Sequence, residues 1–203
     1  MNNKGCFGIG TVGLIILILT FVLGIWAYTT YNSMIKSNNA VQKNWANVET
    51  VYQKRANLIP NLANTVKAYT KYEEETLTKV IEARSKATQI TIDPTNMTEA
   101  DLAKFQAAQG EVSGALSRLM AVVEQYPNLK ADQQFIDFQK EYTAIENSLR
   151  TETVRYNESV ENFNNLVQKI PGSILASFFP KFSAKPTFKA TAGAEKAPEV
   201  FTE

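Results

Sequence analysis

The side chains able to do chemistry stand beside an apolar seam in three helical stretches. They are Asn44 and Glu49; Arg55, Asn57 and Asn61; and Glu146, Asn147, Glu152, Arg155, Asn157 and Asn164. If Glu73, Glu146 and Glu152 converged inside a helical bundle, they would form a carboxylate site, either ligating a metal or working as an acid/base pair. Di-metal bundles, however, draw on Glu-x-x-His motifs from two helices, and this chain contains no His. The simpler reading is internal pairing, Arg with Glu and Asn with backbone or with Asn. A buried polar group left unpaired costs about 1–3 kcal/mol, and such pairing can fix helix register. On this reading none of these residues is catalytic, cofactor-binding or metal-ligating.

Other chemistries lack their residues. The only Cys is Cys6, near the amino terminus, so the rest of the chain has no thiol nucleophile, no zinc site of the His/Cys type and no internal disulfide. The glycines are scattered without a phosphate-cradling pattern, and no Ser has a base to activate it. No cofactor is expected. The chain has 21 Lys+Arg and 20 Asp+Glu; setting Lys4 aside leaves 20 of each sign from Lys36 onward. Without a dense basic run there is no nucleic-acid-binding face.

The element that must position everything else is Gly5 to Ile35, 31 residues with no charged side chain. Within it Phe7 to Tyr28 would rise about 33 Å as a helix, enough to cross the roughly 30 Å of bilayer hydrocarbon. Trp26, Tyr28 and Tyr31 at its end suit the headgroup layer. A cleaved secretory signal is a poor fit, because the exit Leu23-Gly24-Ile25-Trp26-Ala27-Tyr28 is too bulky for a cleavage site. Cys6 precedes the apolar run, where an acylated lipoprotein Cys would follow one. The expected organisation is a short head at 1–6, a transmembrane helix at 7–30, a helical domain at 31–170, an apolar capping segment at 171–182 and a mobile tail at 183–203.

Beyond the span, apolar residues recur at three- and four-residue steps through Val41, Trp45, Val48, Tyr52, Ile59, Leu62, Val66, Tyr69, Leu77 and Val80, a heptad-like, coiled-coil seam. Arg55 and Glu73 fall on that seam. Nothing breaks the pattern between Trp26 and Val41, so the span can continue into the first soluble helix. Pro60 has two readings. Periodicity across it favours one kinked helix, while Asn57 as an N-cap would make Pro60 the first turn of a new one. A loop follows near Gln89 to Asn96. Thr98 caps the next helix, with Glu99 and Asp101 in its first turn, and Pro127 ends it. A last helix from about Ala131 to Ile170, roughly 60 Å long, stops at Pro171-Gly172. No strand-like alternation occurs, so the chain is all-α.

Ile174, Leu175, Phe178, Phe179 and Phe182 either cap the bundle end or dip into the membrane surface, capping being the commoner use. The Ala, Lys, Pro, Thr and Glu-rich remainder from Ser183 reads as mobile.

The segments VQKNWANVE (41–49), KRANLIPNL (54–62), VKAYTKYEEETL (66–77), EAR (82–84), YPNLKA (126–131), EN (146–147), RYNESVENFN (155–164) and IPGSILA (170–176), with the closing Pro198-Glu199-Val200-Phe201, resemble the LemA family in order and spacing. The resemblance implies a single-pass protein of a bacterial inner membrane, its span followed by an antiparallel up-and-down four-helix bundle. It implies a break between two helices at Pro60, against the periodicity. It carries no catalytic residue, so Arg55, Pro60, Asn61, Arg155, Asn157 and Asn164 are marks of kinship only.

The function expected is a non-enzymatic scaffold or interaction module, with the lipid bilayer and other proteins at the membrane as partners. Homo-oligomeric self-assembly that organises or bends membrane is the alternative, and a carboxylate metal binder or enzyme is the third. A long apolar groove could also receive a partner helix. Lys4 on one side against Lys36 and Lys43 on the other leaves the orientation of the soluble part open.

Overall fold

The computed structural model describes residues 4–69 and 74–189, with side chains from Gly10 onward. The described residues are helical with no strand: α1 (Lys4–Tyr69), α2 (Glu74–Thr88), α3 (Glu99–Val123), the short α4 (Pro127–Lys130), α5 (Gln133–Gln168), α6 (Gly172–Ala176) and a 3-10 turn at Pro180–Phe182.

The first of these is 66 residues long, about 99 Å at the α-helical rise. Its first part is a candidate membrane span, long and apolar enough to cross a bilayer. Large apolar side chains from Val12 to Leu23 are all more than half exposed. A helix that is apolar all round and uncovered needs lipid or protein around it. Past Tyr28 the same helix acquires a buried face: Met34, Val41, Trp45, Val48, Arg55, Ile59, Leu62 and Val66 are each almost fully covered. From Val41 to Val66 the heptad-like seam therefore lies on the buried face, with Tyr52 half-buried. Tyr69 is exposed, and Leu77 and Val80 belong to α2. The candidate span continues into this face as one helix.

The break at Pro60 implied by the resemblance does not occur: α1 runs through Pro60, as the unbroken periodicity suggests. A proline has no N–H, so the carbonyl four residues earlier loses its donor. That carbonyl belongs to Ala56, and Arg84 of α2 donates its Nε–H to it at 2.8 Å. The exposed Pro60 ring faces away from the core, and a side chain from the next helix replaces the missing bond. Asn57 is no helix cap; its side-chain oxygen accepts from Gln53 Nε2 within the same helix, at 2.9 Å.

Boundaries elsewhere follow local chemistry. Thr98 caps α3 in a reciprocal box with Asp101, the arrangement that satisfies two otherwise bare backbone donors. Pro127 sits at the start of α4 rather than at the very end of α3. Asp132 caps α5 by accepting from the backbone N–H groups of Gln134 and Phe135. Along α1 and α5 the contacts pair Tyr69 with Asp132, Thr65 with Gln134, Arg55 with Glu146 and Asn47 with Glu152, so rising numbers on one helix meet falling numbers on the other.

The core has two parts. One, far from the span, gathers Ile59, Leu62, Val66, Val80, Leu116, Leu119, Val123, Leu129, Phe135 and Phe138. The other, next to the span, gathers Met34, Val41, Trp45, Phe105, Tyr156, Val160, Phe163 and Phe182. Leu175 and Phe179 pack against the second part and Ala176 and Phe182 lie within it, so one side of the 171–182 segment covers that part of the core. Gly172 is required there: a Cβ would lie 2.1 Å from the Leu166 carbonyl oxygen. The segment expected to be a mobile tail departs from that reading. Residues 183–189 lie against α5, with Lys185, Pro186 and Phe188 buried or half-buried, because side chains of α5 hydrogen-bond their backbone. The remainder, 190–203, lies outside the described residues.

Candidate functional site

Between the two parts of the core sits Arg55, 2% exposed. Its position on the α1 seam leaves the side chain almost wholly buried, so its donors must be met by protein groups. One terminal amino group donates to Ser113 Oγ at 2.8 Å and to Glu146 Oε1 at 3.2 Å. The other donates to Gln109 Oε1 at 2.6 Å and to the Gln109 backbone carbonyl at 3.1 Å. The Tyr52 ring lies 4.9 Å from the guanidinium carbon, a favourable cation–π distance. Burial pushes the Tyr52 hydroxyl's pKa up, with Arg55 opposing and Glu146 adding to the rise. Three helices, α1, α3 and α5, are thereby joined through one side chain.

The other carboxylates do not join it. Glu152 takes Arg155 at 2.5 Å and Asn47 at 3.2 Å. It lies six residues from Glu146 on the same helix, about 9 Å along the axis. Glu49 lines a small cavity of about 100 Å³ with Tyr52, Arg84 and Gln109, where burial raises its carboxyl pKa. Glu73 lies outside the described residues. Among the described residues no three His, Cys, Asp or Glu side chains gather in a way that could hold a metal ion. Glu146 faces Arg55 through Oε1, with its side chain 35% exposed.

Asn157 and Asn164 do something different. Each grips the backbone of the extended 183–189 strap through both faces of its amide. Asn164 accepts from the Lys185 N–H at 2.8 Å and donates to the Lys185 carbonyl at 2.9 Å. Asn157 treats Phe188 identically, at 2.9 and 3.1 Å. The match is metric. Seven residues of helix rise about 10.5 Å, and three residues of extended chain span about 10 Å. Between the two clasps the buried Tyr156 hydroxyl donates to the Pro186 carbonyl at 3.0 Å, and burial pushes its pKa well up. Lys185 reaches across to the Thr95 carbonyl; desolvation lowers its pKa, partly offset by Asp93. Phe188 stacks on Trp45 at 6.0 Å. The strap thus ties the 90–97 loop to α5 and α1.

The remaining polar residues singled out by the sequence are placed simply. Asn44 donates to the Arg155 carbonyl at 3.2 Å, while Asn61 and Asn147 are exposed. Internal pairing, Arg with Glu and Asn with backbone, describes the arrangement. The partners Ser113 and Gln109, Arg84 at the Ala56 carbonyl, and the strap itself are not marked by any motif in the sequence. A lone aromatic, Phe188, inside a Lys/Pro/Thr-rich stretch was the available signal.

The LemA family profile matches residues 44–201, well over half of the chain. The chain belongs to the LemA family. It is 26% identical over 156 residues to the Protein LemA of Metamycoplasma hominis, covering 75% of this chain and 67% of that one. It is 23% identical over 163 residues to the magnetosome proteins MamQ 2 and MamQ 1 of Paramagnetospirillum magneticum, covering 72% of this chain and 60% of each of theirs. The chain therefore spans about two thirds or less of the length of these curated relatives. The LemA match begins at Asn44 and so takes in the Arg55 hub, both asparagine clasps and the strap.

Proposed function

We propose that this LemA-family chain is a membrane-anchored, non-enzymatic scaffold. Its α1 span fixes an antiparallel up-and-down four-helix bundle, built from the rest of α1 with α2, α3 and α5, at a bacterial inner membrane. There the bundle presents its far surface to other proteins. The observation that carries this reading is the character of α1, apolar and uncovered from Val12 to Ile25 and packed on one face from Met34 onward. The commitment of Arg55, Glu146, Glu152, Asn157 and Asn164 to internal partners supports an architectural use of these groups. The surface offered to partners is the open groove of about 680 Å³ between α1 and α5 at the far end, lined by Asn61, Thr65, Tyr69, Gln134, Asp137 and Glu141.

Photo-crosslinking amino acids at Asn61 and Glu141, in the full chain in native membranes, test the reading. The expected result is discrete adducts with other proteins at these two positions, absent at Val154 and lost when the span is replaced by a soluble leader. Adducts of the chain with itself alone would transfer the function to self-assembly. No adduct at either position would remove the scaffold reading.

A further inference from the structure

Next to the span, three large apolar side chains are mostly uncovered by protein: Ile170 is 81% exposed, Ile174 57% and Phe178 73%. They recur every fourth residue across α6 and its flanks. The opposite side of the same segment is the packed one, with Ala176 and Phe182 buried and Leu175 and Phe179 partly so. That packed side is fastened to α1 at a defined height. The rings of Phe179 and Phe182 meet Tyr31 edge-on at 5.1 and 5.5 Å, and Lys181 Nζ donates to the Tyr31 hydroxyl at 2.8 Å. Tyr31 lies three residues, about 4.5 Å of rise, beyond Tyr28, where the uncovered apolar surface of α1 ends. Lys169 and Lys181 flank the segment, and Lys36 is the first charge on α1 after the span.

We propose that residues 169–182 form a collar lying in the headgroup layer of the bilayer. Ile170, Ile174 and Phe178 enter the acyl boundary while Lys169 and Lys181 meet lipid phosphates. The occupant of this face is a lipid surface because the face continues, at the same level, the exposed apolar surface of the span. Its composition, apolar on one side with lysines at both ends, is that of an interfacial segment. A single helix leaves a bundle free to spin and tilt about its axis. A second contact displaced from that axis fixes the bundle's rotation and tilt relative to the membrane. The collar rests on the reading of α1 as a span, and it holds for either orientation of the bundle.

The test uses the full chain in a Cys6→Ser background, with single cysteines replacing Ile174, Phe178 or Val154 and carrying an environment-sensitive NBD label. Val154 is an exposed apolar control about 24 Å further along α5 from Ile170. The variants are reconstituted into liposomes of phosphatidylcholine with phosphatidylglycerol and recovered by flotation. NBD at 174 and 178 should emit to the blue of NBD at 154, and shallow doxyl-labelled lipids should quench it at least twofold more. Failure to float would take away the span and the collar together. Flotation with 174 and 178 behaving like 154 would overturn the collar alone. A blue shift that grows with protein density and ignores the doxyl lipids would also overturn it, by identifying a second copy as the cover.

Discussion

The two parts of the core are closed by different means. Far from the span the core is mostly aliphatic, Ile59, Leu62, Val66, Leu116, Leu119 and Leu129 with the Phe135–Phe138 pair, and its helices flank an open groove. Near the span the core is aromatic, with Trp45, Phe105, Tyr156 and Phe163 at its centre. There the helices are overlaid by segments distant in sequence: the 90–97 loop, α6 and the 183–189 strap. The polar devices differ in the same way. The Arg55 hub between the halves uses a buried charge and side-chain partners, while Asn157 and Asn164 use neutral amides on backbone. A buried charge is costly when its partners go; an amide clasp loses only its own bonds. The end beside the candidate span is thus overlaid by more segments, while an open groove lies between α1 and α5 at both ends, about 510 Å³ near the span and about 680 Å³ far from it.

The largest effect expected is at the boundary between the halves. Arg55→Leu removes four hydrogen bonds and strands Gln109 and Glu146. Loss of one partner of a buried pair costs about 3–5 kcal/mol; because the Glu146 side chain is 35% exposed, about 2–3 kcal/mol is expected here. Thermal unfolding in detergent should show it, and Arg55→Leu with Glu146→Leu should recover much of the loss. If the double variant is as unstable as the single, the hub is more than an ion pair in a hydrophobic slot.

Next comes the strap. Asn157→Ala with Asn164→Ala deletes four hydrogen bonds to backbone and, with both asparagines half-buried, should cost about 2 kcal/mol, at roughly 0.5 kcal/mol per bond. Hydrogen exchange should rise in residues 92–97 and 156–164 while 135–145 stay protected. Equal loosening of both halves would erase the contrast between them.

Smaller still is the proline repair. Arg84→Ala bares the Ala56 carbonyl and should cost about 1 kcal/mol. In a Pro60→Ala background, where residue 60 regains its N–H, the same change should cost clearly less. An unchanged cost would mean that Arg84 acts elsewhere.

The smallest effect is in acid. Hydrogen bonds from Tyr69 and the α5 amino end hold the Asp132 carboxyl below its usual pKa, and Thr98 does the same for Asp101. Groups with depressed pKa stabilise the fold above the unfolded value, near 4, and the contribution is lost as pH falls through the folded value. Asp101→Asn and Asp132→Asn should therefore flatten the loss of stability below about pH 4.

Much of this was legible in the residues themselves. The three- and four-residue steps named the buried face of α1 at Val41, Trp45, Val48, Ile59, Leu62 and Val66, and they placed Arg55 on it. Its partners were not legible, since Ser113 and Gln109 resemble any residues of an amphipathic helix until α3 is set in register. Asn157 and Asn164 could be assigned to backbone, but not to which backbone, because 183–189 has the composition of a disordered tail. Pro60 shows the reverse: periodicity was the better guide than kinship, and the reason lay in Arg84, 24 positions along the chain.

The account depends most on α1 holding this chain in a membrane. The direct measurement is alkaline carbonate extraction of membranes from cells making the full chain. The chain should remain entirely in the pellet and be released only by detergent. Recovery in the aqueous supernatant as a monodisperse folded protein would contradict the account.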